Sequence, residues 1–127
     1  MAAGQMPSRQ SRTFEQARES VPAARRYVVE LLAHLPDDLT TTAALLVSEL
    51  AANAVLYGVG PFEVSVQRSQ EGARVGVTDS GKGEPTPQHP SDTAEHGRGL
   101  QLVGALASDW GVQRDTANKT VWFELRA

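Results

Sequence analysis

The chain has 127 residues, 40% of them hydrophobic and 21% charged, with a net charge of -3 and a pI of about 5.6. That is the make-up of one soluble globular domain, long enough to bury about two thirds of its unfolded surface; it excludes a disordered chain and the basic footprint of a nucleic-acid binder. The lack of cysteine removes disulfides and thiolate metal sites and suits a cytoplasmic setting, and no leader-like segment or run of about 18 apolar residues points to secretion or a membrane.

In chain order, residues 1–10, with Gly4 and Pro7, read as a flexible tail, and 11–127 as a single domain. Arg12–Ala17 reads as a short edge strand. Ser20 is a candidate N-cap, and Val21, Tyr27, Val28, Leu31, Leu32 and Leu35 recur at helical spacing up to Pro36. Asp37 or Asp38 then caps a second helix, from about Leu39 to Tyr57, with Gly58 as its stop. On that helix Ala43, Leu46, Leu50, Ala54 and Tyr57 form one apolar stripe. Glu49 and Asn53 fall on the border of the stripe, one turn apart. A carboxylate and an amide side by side at the edge of a core are placed to act on one ligand.

Phe62, Val64 and Val66 alternate with polar residues, as in a half-buried strand, and Glu71-Gly72 turns the chain into a second strand with Ala73, Val75 and Val77 on one face. Parity carries Asp79 onto that face, where a carboxylate is costly unless hydrogen bonds are donated to it. Residues 80–96 lack apolar periodicity and form a long loop, of the kind that serves as a lid or binding segment. Gly97-Arg98-Gly99 opens a third helix with Leu100, Val103, Leu106 and Ala107 inward, and a helix N-terminus favours phosphate. Trp110–Arg114 and Lys119–Arg126 make a closing hairpin around a turn at Asp115–Asn118. Trp122 points away from the core face, and His34, His89 and His96 are too scattered for a metal set. The order β, α, α, β, β, α, β, β predicts an α/β (α+β) two-layer sandwich, with a mainly antiparallel sheet and helices on one face.

Three pieces ask for one ligand: Glu49 with Asn53, the Asp79-Ser80-Gly81-Lys82-Gly83 stretch, and Gly97-Arg98-Gly99. In this order they resemble the E-x-x-x-N, D-x-G-x-G and G-x-G motifs of the GHKL ATPase superfamily, whose nucleotide-binding domain is the Bergerat fold. The likeness runs over about residues 12–126. Leu102 in place of a third glycine argues against a dinucleotide fingerprint, and Lys82-Gly83 is not followed by the Ser or Thr of a P-loop. Size and wording are most similar to the bacterial anti-sigma-factor serine/threonine kinases, since a sensor histidine kinase would carry a dimerising helical pair for which these residues leave no room.

The resemblance implies ATP and Mg²⁺ as cofactors, with Glu49 as the catalytic general base and Asn53 on the metal. It implies that Asp79 accepts the adenine amine, that Gly81 and Gly83 pass close to the base, and that Gly97, Arg98 and Gly99 close on the phosphates. It places Thr120 near adenine, although the strand parity of Thr120 opposes that of Val121 and Phe123. The implied partners are a sigma factor and its anti-anti-sigma antagonist protein, with no direct contact with nucleic acid or membrane; members of the family are often homodimers. The chain departs from the family at Tyr57, where a basic residue is common, at Asn118, where glycine is usual, and at Glu84, where an apolar residue is common. The departures at Tyr57 and Glu84 keep open a non-catalytic nucleotide-binding module that acts by docking alone. A detached histidine-kinase catalytic domain is the other alternative.

Overall fold

A computed structural model describes residues 9–80 and 100–127. The alternating and helical-period segments become strand β1 (Arg9–Phe14), helices α1 (Ser20–Leu31) and α2 (Asp37–Tyr57), strands β2 (Phe62–Arg68) and β3 (Gly72–Asp79), a helical stretch α3 over 100–106, and strands β4 (Asp109–Arg114) and β5 (Lys119–Arg126). The strands form one antiparallel sheet in the order β1-β2-β3-β5-β4. This is the predicted α+β sandwich.

One face of the sheet carries Phe62, Val64 and Val66 of β2, Val75 and Val77 of β3, and Val121, Phe123 and Leu125 of β5 into a core shared with Val28 of α1, Leu46, Val47 and Leu50 of α2, and Val103 of α3. Burial of these side chains drives the layers together, each contributing about 1.5–3 kcal/mol relative to exposure. On the other face Arg74 lies 4.0 Å over the Trp122 ring and bonds Glu124 at 2.7 Å. Trp122 therefore points away from the core, as its parity predicted.

Several boundaries differ from the sequence reading. Strand β1 is an edge strand, but it begins at Arg9, within the expected tail, and ends at Phe14, which stacks on Phe62 at 5.6 Å and meets Tyr27 edge-on at 5.9 Å. Helix α1 starts with Ser20 itself, after Glu19, and α2 starts at Asp37, after Pro36; neither has a side-chain cap. Asp37 and Asp38 lie in the first turn of α2, where their charge complements the helix dipole. On α3, Val103 is buried and Leu100 and Ala107 pack against the core as expected, but Leu106 is exposed and Leu102 packs inward instead. By length and mean hydropathy, 1.5 in its most apolar window, α2 would suffice to cross a membrane. In this fold it is the central helix, laid over β3 and β5.

Candidate active site

The orientation of α2 is fixed by its neighbour. Arg25 of α1 donates to the Ser48 hydroxyl at 3.0 Å, so Ser48 marks the flank of α2 that faces α1. At about 100° per residue, Glu49 lies roughly 100° and Asn53 roughly 140° around the helix from Ser48. Because α1 sits over β2 while α2 sits over β3 and β5, the Glu49 and Asn53 flank is turned toward the β5 side of the sheet. Both residues are half-buried, at the border between core and solvent that the sequence predicted. Tyr57, the next residue of the same i, i+4 row, is half-buried at the end of the helix.

Asp79 ends β3 and is 9% exposed. It continues the row of Val75 and Val77 on the core face, as parity predicted. Its direct cross-strand neighbours are Phe62 on β2 and Lys119 on β5. Above it lies the end of α2. A methyl group built on Gly58 would stand 3.3 Å from Asp79 Cβ, 3.4 Å from Asp79 Cγ and 2.6 Å from the Ala54 carbonyl oxygen. Gly58 has φ -82° and ψ -177°, an extended backbone open to any residue, so the space taken by the Ala54 carbonyl, and then by Asp79, is what requires glycine there. The left-handed conformation belongs to Gly60, with φ 81°.

Gln16 ties this corner together and was not recognised in the sequence. Its amide nitrogen donates to the carbonyl oxygens of Val55 at 3.0 Å and Gly58 at 2.7 Å, and its amide oxygen accepts from the Gly60 N–H at 2.9 Å. The side chain thus satisfies carbonyls that the end of a helix leaves without partners. No local pattern marks Gln16, because all its partners lie about forty residues away in the chain.

Glu49 and Asn53 share one flank of α2, and Asp79 lies beneath the end of that helix. With Asp79 under Gly58, Asn53 stands about 7.5 Å and Glu49 about 13.5 Å farther back along the helix axis. Thr120 is not brought to them. Its hydroxyl is 2.7 Å from that of Thr78, and its methyl group lies beside Gly76 with Ser65 and Trp122, all on the sheet face away from the helices. The residue of β5 that shares a face with Asp79 is Lys119, which alternation with Val121 and Phe123 could have identified. Gly81, Gly83, Gly97, Arg98 and Gly99, together with Glu84, lie outside the described residues.

The donor set suits a nucleotide with its cation. A buried carboxylate at the sheet end offers only acceptors, as an exocyclic amine needs, and the half-exposed Asn53 amide offers a hard oxygen of the kind Mg²⁺ prefers. Among the described residues no three His, Asp or Glu side chains gather as a metal cage. Asn53 is the candidate protein ligand for a cation bound with the nucleotide.

The sequence profile of a family described as "Histidine kinase-like ATPase domain" matches residues 14–125. Among solved structures, the chain is similar to the crystal structure of the RsbU and RsbW domains of Rv1364c from Mycobacterium tuberculosis, with a TM-score of 0.72 and 18% identity. The alignment covers 94% of this chain and 32% of that one, a likeness of fold. No curated protein sequence matches it significantly.

Proposed function

This chain belongs to the histidine kinase-like ATPase family, and from that premise we propose that it is a cytoplasmic anti-sigma-factor serine/threonine kinase. In this reading it transfers the γ-phosphoryl group of ATP to a serine or threonine of an antagonist protein and also binds a sigma factor, as a homodimer. The observation that carries the reading is the shared flank of α2, with Glu49 and Asn53 half-buried on it and the buried Asp79 packed beneath the end of the same helix.

Bound ATP with Mg²⁺ supplies the phosphoryl group and the neutralising charge. Asp79 holds the adenine amine, so the desolvation of its carboxylate is offset by a charge-assisted hydrogen bond. Asn53 holds the cation through its amide oxygen. Glu49, one turn farther from the base, takes the proton of the incoming hydroxyl as general base, a contribution of about 10²- to 10⁴-fold. Gly97, Arg98 and Gly99 are assigned to the phosphates on the sequence alone.

The test is incubation with Mg²⁺, γ-labelled ATP and candidate antagonist proteins. An acid-stable phosphoprotein formed by the wild type and lost in Glu49→Gln is expected. Equal behaviour of the two, with no transfer to any candidate, would defeat the kinase assignment; tight ATP binding without transfer favours a docking module, and an acid-labile product favours a histidine-directed domain.

A further inference from the structure

We propose that Lys119 is a second base-reading residue of this site, its ammonium donating to the ring nitrogen N1 of adenine beside the exocyclic amine held by Asp79. The inference rests on the ATP-binding reading above and extends it to a residue that nothing else assigns.

The β3–β5 register sets Lys119 directly across from Asp79, a separation of about 4.5–5.5 Å between Cα atoms. Both continue rows of core-facing residues, Asp79 after Val77 and Lys119 before Val121. Lys119 is half-buried. On its β2 side Asp79 is walled by Phe62, 1% exposed, and from above by the end of α2 at Gly58. Of its two cross-strand neighbours in the sheet, Lys119 is the polar one. The base edge of adenine presents a donor, the amine, next to an acceptor, N1. A carboxylate supplies acceptors only and an ammonium donors only, so the pair meets both atoms, whereas Asp79 alone leaves N1 without a donor. The Thr120 hydroxyl is engaged with Thr78 on the opposite face and does not compete for this role. Guanine presents an acceptor, O6, where adenine carries its amine, so the Asp79 carboxylate repels it in this pose.

Calorimetric titration of the full chain with ATP, 1-deaza-ATP (N1 replaced by CH) and GTP tests the assignment in wild type and Lys119→Met. The wild type should bind 1-deaza-ATP about tenfold to a hundredfold more weakly than ATP, the loss of one charge-assisted bond. Lys119→Met should bind both alike, at the weaker level. Equal wild-type affinity for ATP and 1-deaza-ATP, or discrimination that survives in Lys119→Met, would overturn the role of Lys119, and GTP bound more tightly than ATP would overturn the Asp79 contact with the amine on which that role rests. Those results leave ATP binding itself standing, whereas a folded wild type that binds none of the three nucleotides overturns the ATP-binding reading with it. The wild-type comparison needs no variant and decides the matter if Lys119→Met does not fold.

Discussion

Gly58 and Gly60 stand two residues apart and need to be glycine for opposite reasons, which makes them separable by substitution. At Gly58 an alanine methyl would sit 2.6 Å from the Ala54 carbonyl oxygen and 3.3 Å from Asp79 Cβ. The carbonyl belongs to the last turn of α2 and cannot swing aside, so the strain is of the overpacking kind, about 1–3 kcal/mol. The backbone at φ -82° suits alanine, and the smaller entropy of the unfolded chain returns about 0.4–1 kcal/mol. The net loss is about 1–2 kcal/mol, which for a domain of this size lowers Tm by roughly 4–10 °C. At Gly60 nothing lies within 4 Å of an added methyl, but φ is 81°, and a left-handed L-residue costs about 1–2 kcal/mol.

Asparagine separates the two cases, since it tolerates the left-handed region but is larger than alanine. Gly60→Asn should recover most of the Tm lost in Gly60→Ala, while Gly58→Asn should be at least as damaging as Gly58→Ala. Calorimetric melting of the four variants measures this, and ATP titration adds a second readout, because only the Gly58 changes push on Asp79. A Gly58→Ala protein with unchanged or raised Tm and wild-type ATP affinity would refute the packing argument.

Asp79→Asn should weaken binding of a fluorescent ATP analogue by at least about tenfold, the cost of losing a charged acceptor; unaltered binding would remove the adenine assignment. Gln16→Ala leaves two carbonyls and one N–H of the turn after α2 to solvent, and should lower stability in urea by about 1–2 kcal/mol. The bond from Arg74 holds the Glu124 carboxyl below its ordinary pKa against the opposing effect of burial, with Arg126 adding to the depression. A carboxylate depressed in the folded state stabilises above its unfolded pKa and loses that contribution as pH falls through the folded value. Glu124→Gln should therefore flatten the acid limb of the stability curve in that window and leave the alkaline limb unchanged, as followed by Tm against pH.

The order of elements, the antiparallel sheet and the flank carrying Glu49 and Asn53 were legible because each rests on periodicity, alternation or helical phase, which a local window contains. Asp79 was legible for the same reason, as a charged residue in an apolar row. Helix starts were not: Ser20, Asp37 and Asp38 have the chemistry of caps but stand inside the first turns, a shift of one or two residues that composition does not resolve. The work of Gln16 was invisible because it depends on chain crossing from β1 to the end of α2. Thr120 shows a conflict between two signals. The motif resemblance placed it at the base, strand parity placed it on the other face, and the Thr78 hydroxyl bond follows parity.

That outcome puts the identity of the residue facing Asp79 under the control of register. Side chains alternate along a strand, so a slip of one residue between β3 and β5 would exchange Lys119 for its neighbour on the core face. The register is held from both sides of Lys119. Beyond it, Val121 and Phe123 pair with Val77 and Val75 in the core, and a slip would expose them. Before it, Asp115 closes the hairpin turn by accepting from the N–H groups of Ala117 at 3.0 Å and Asn118 at 2.8 Å, which fixes where β5 begins. Asn118 takes part in that turn without a left-handed backbone. The chemistry offered beside Asp79 is therefore set by apolar pairing and turn geometry at positions that touch no ligand.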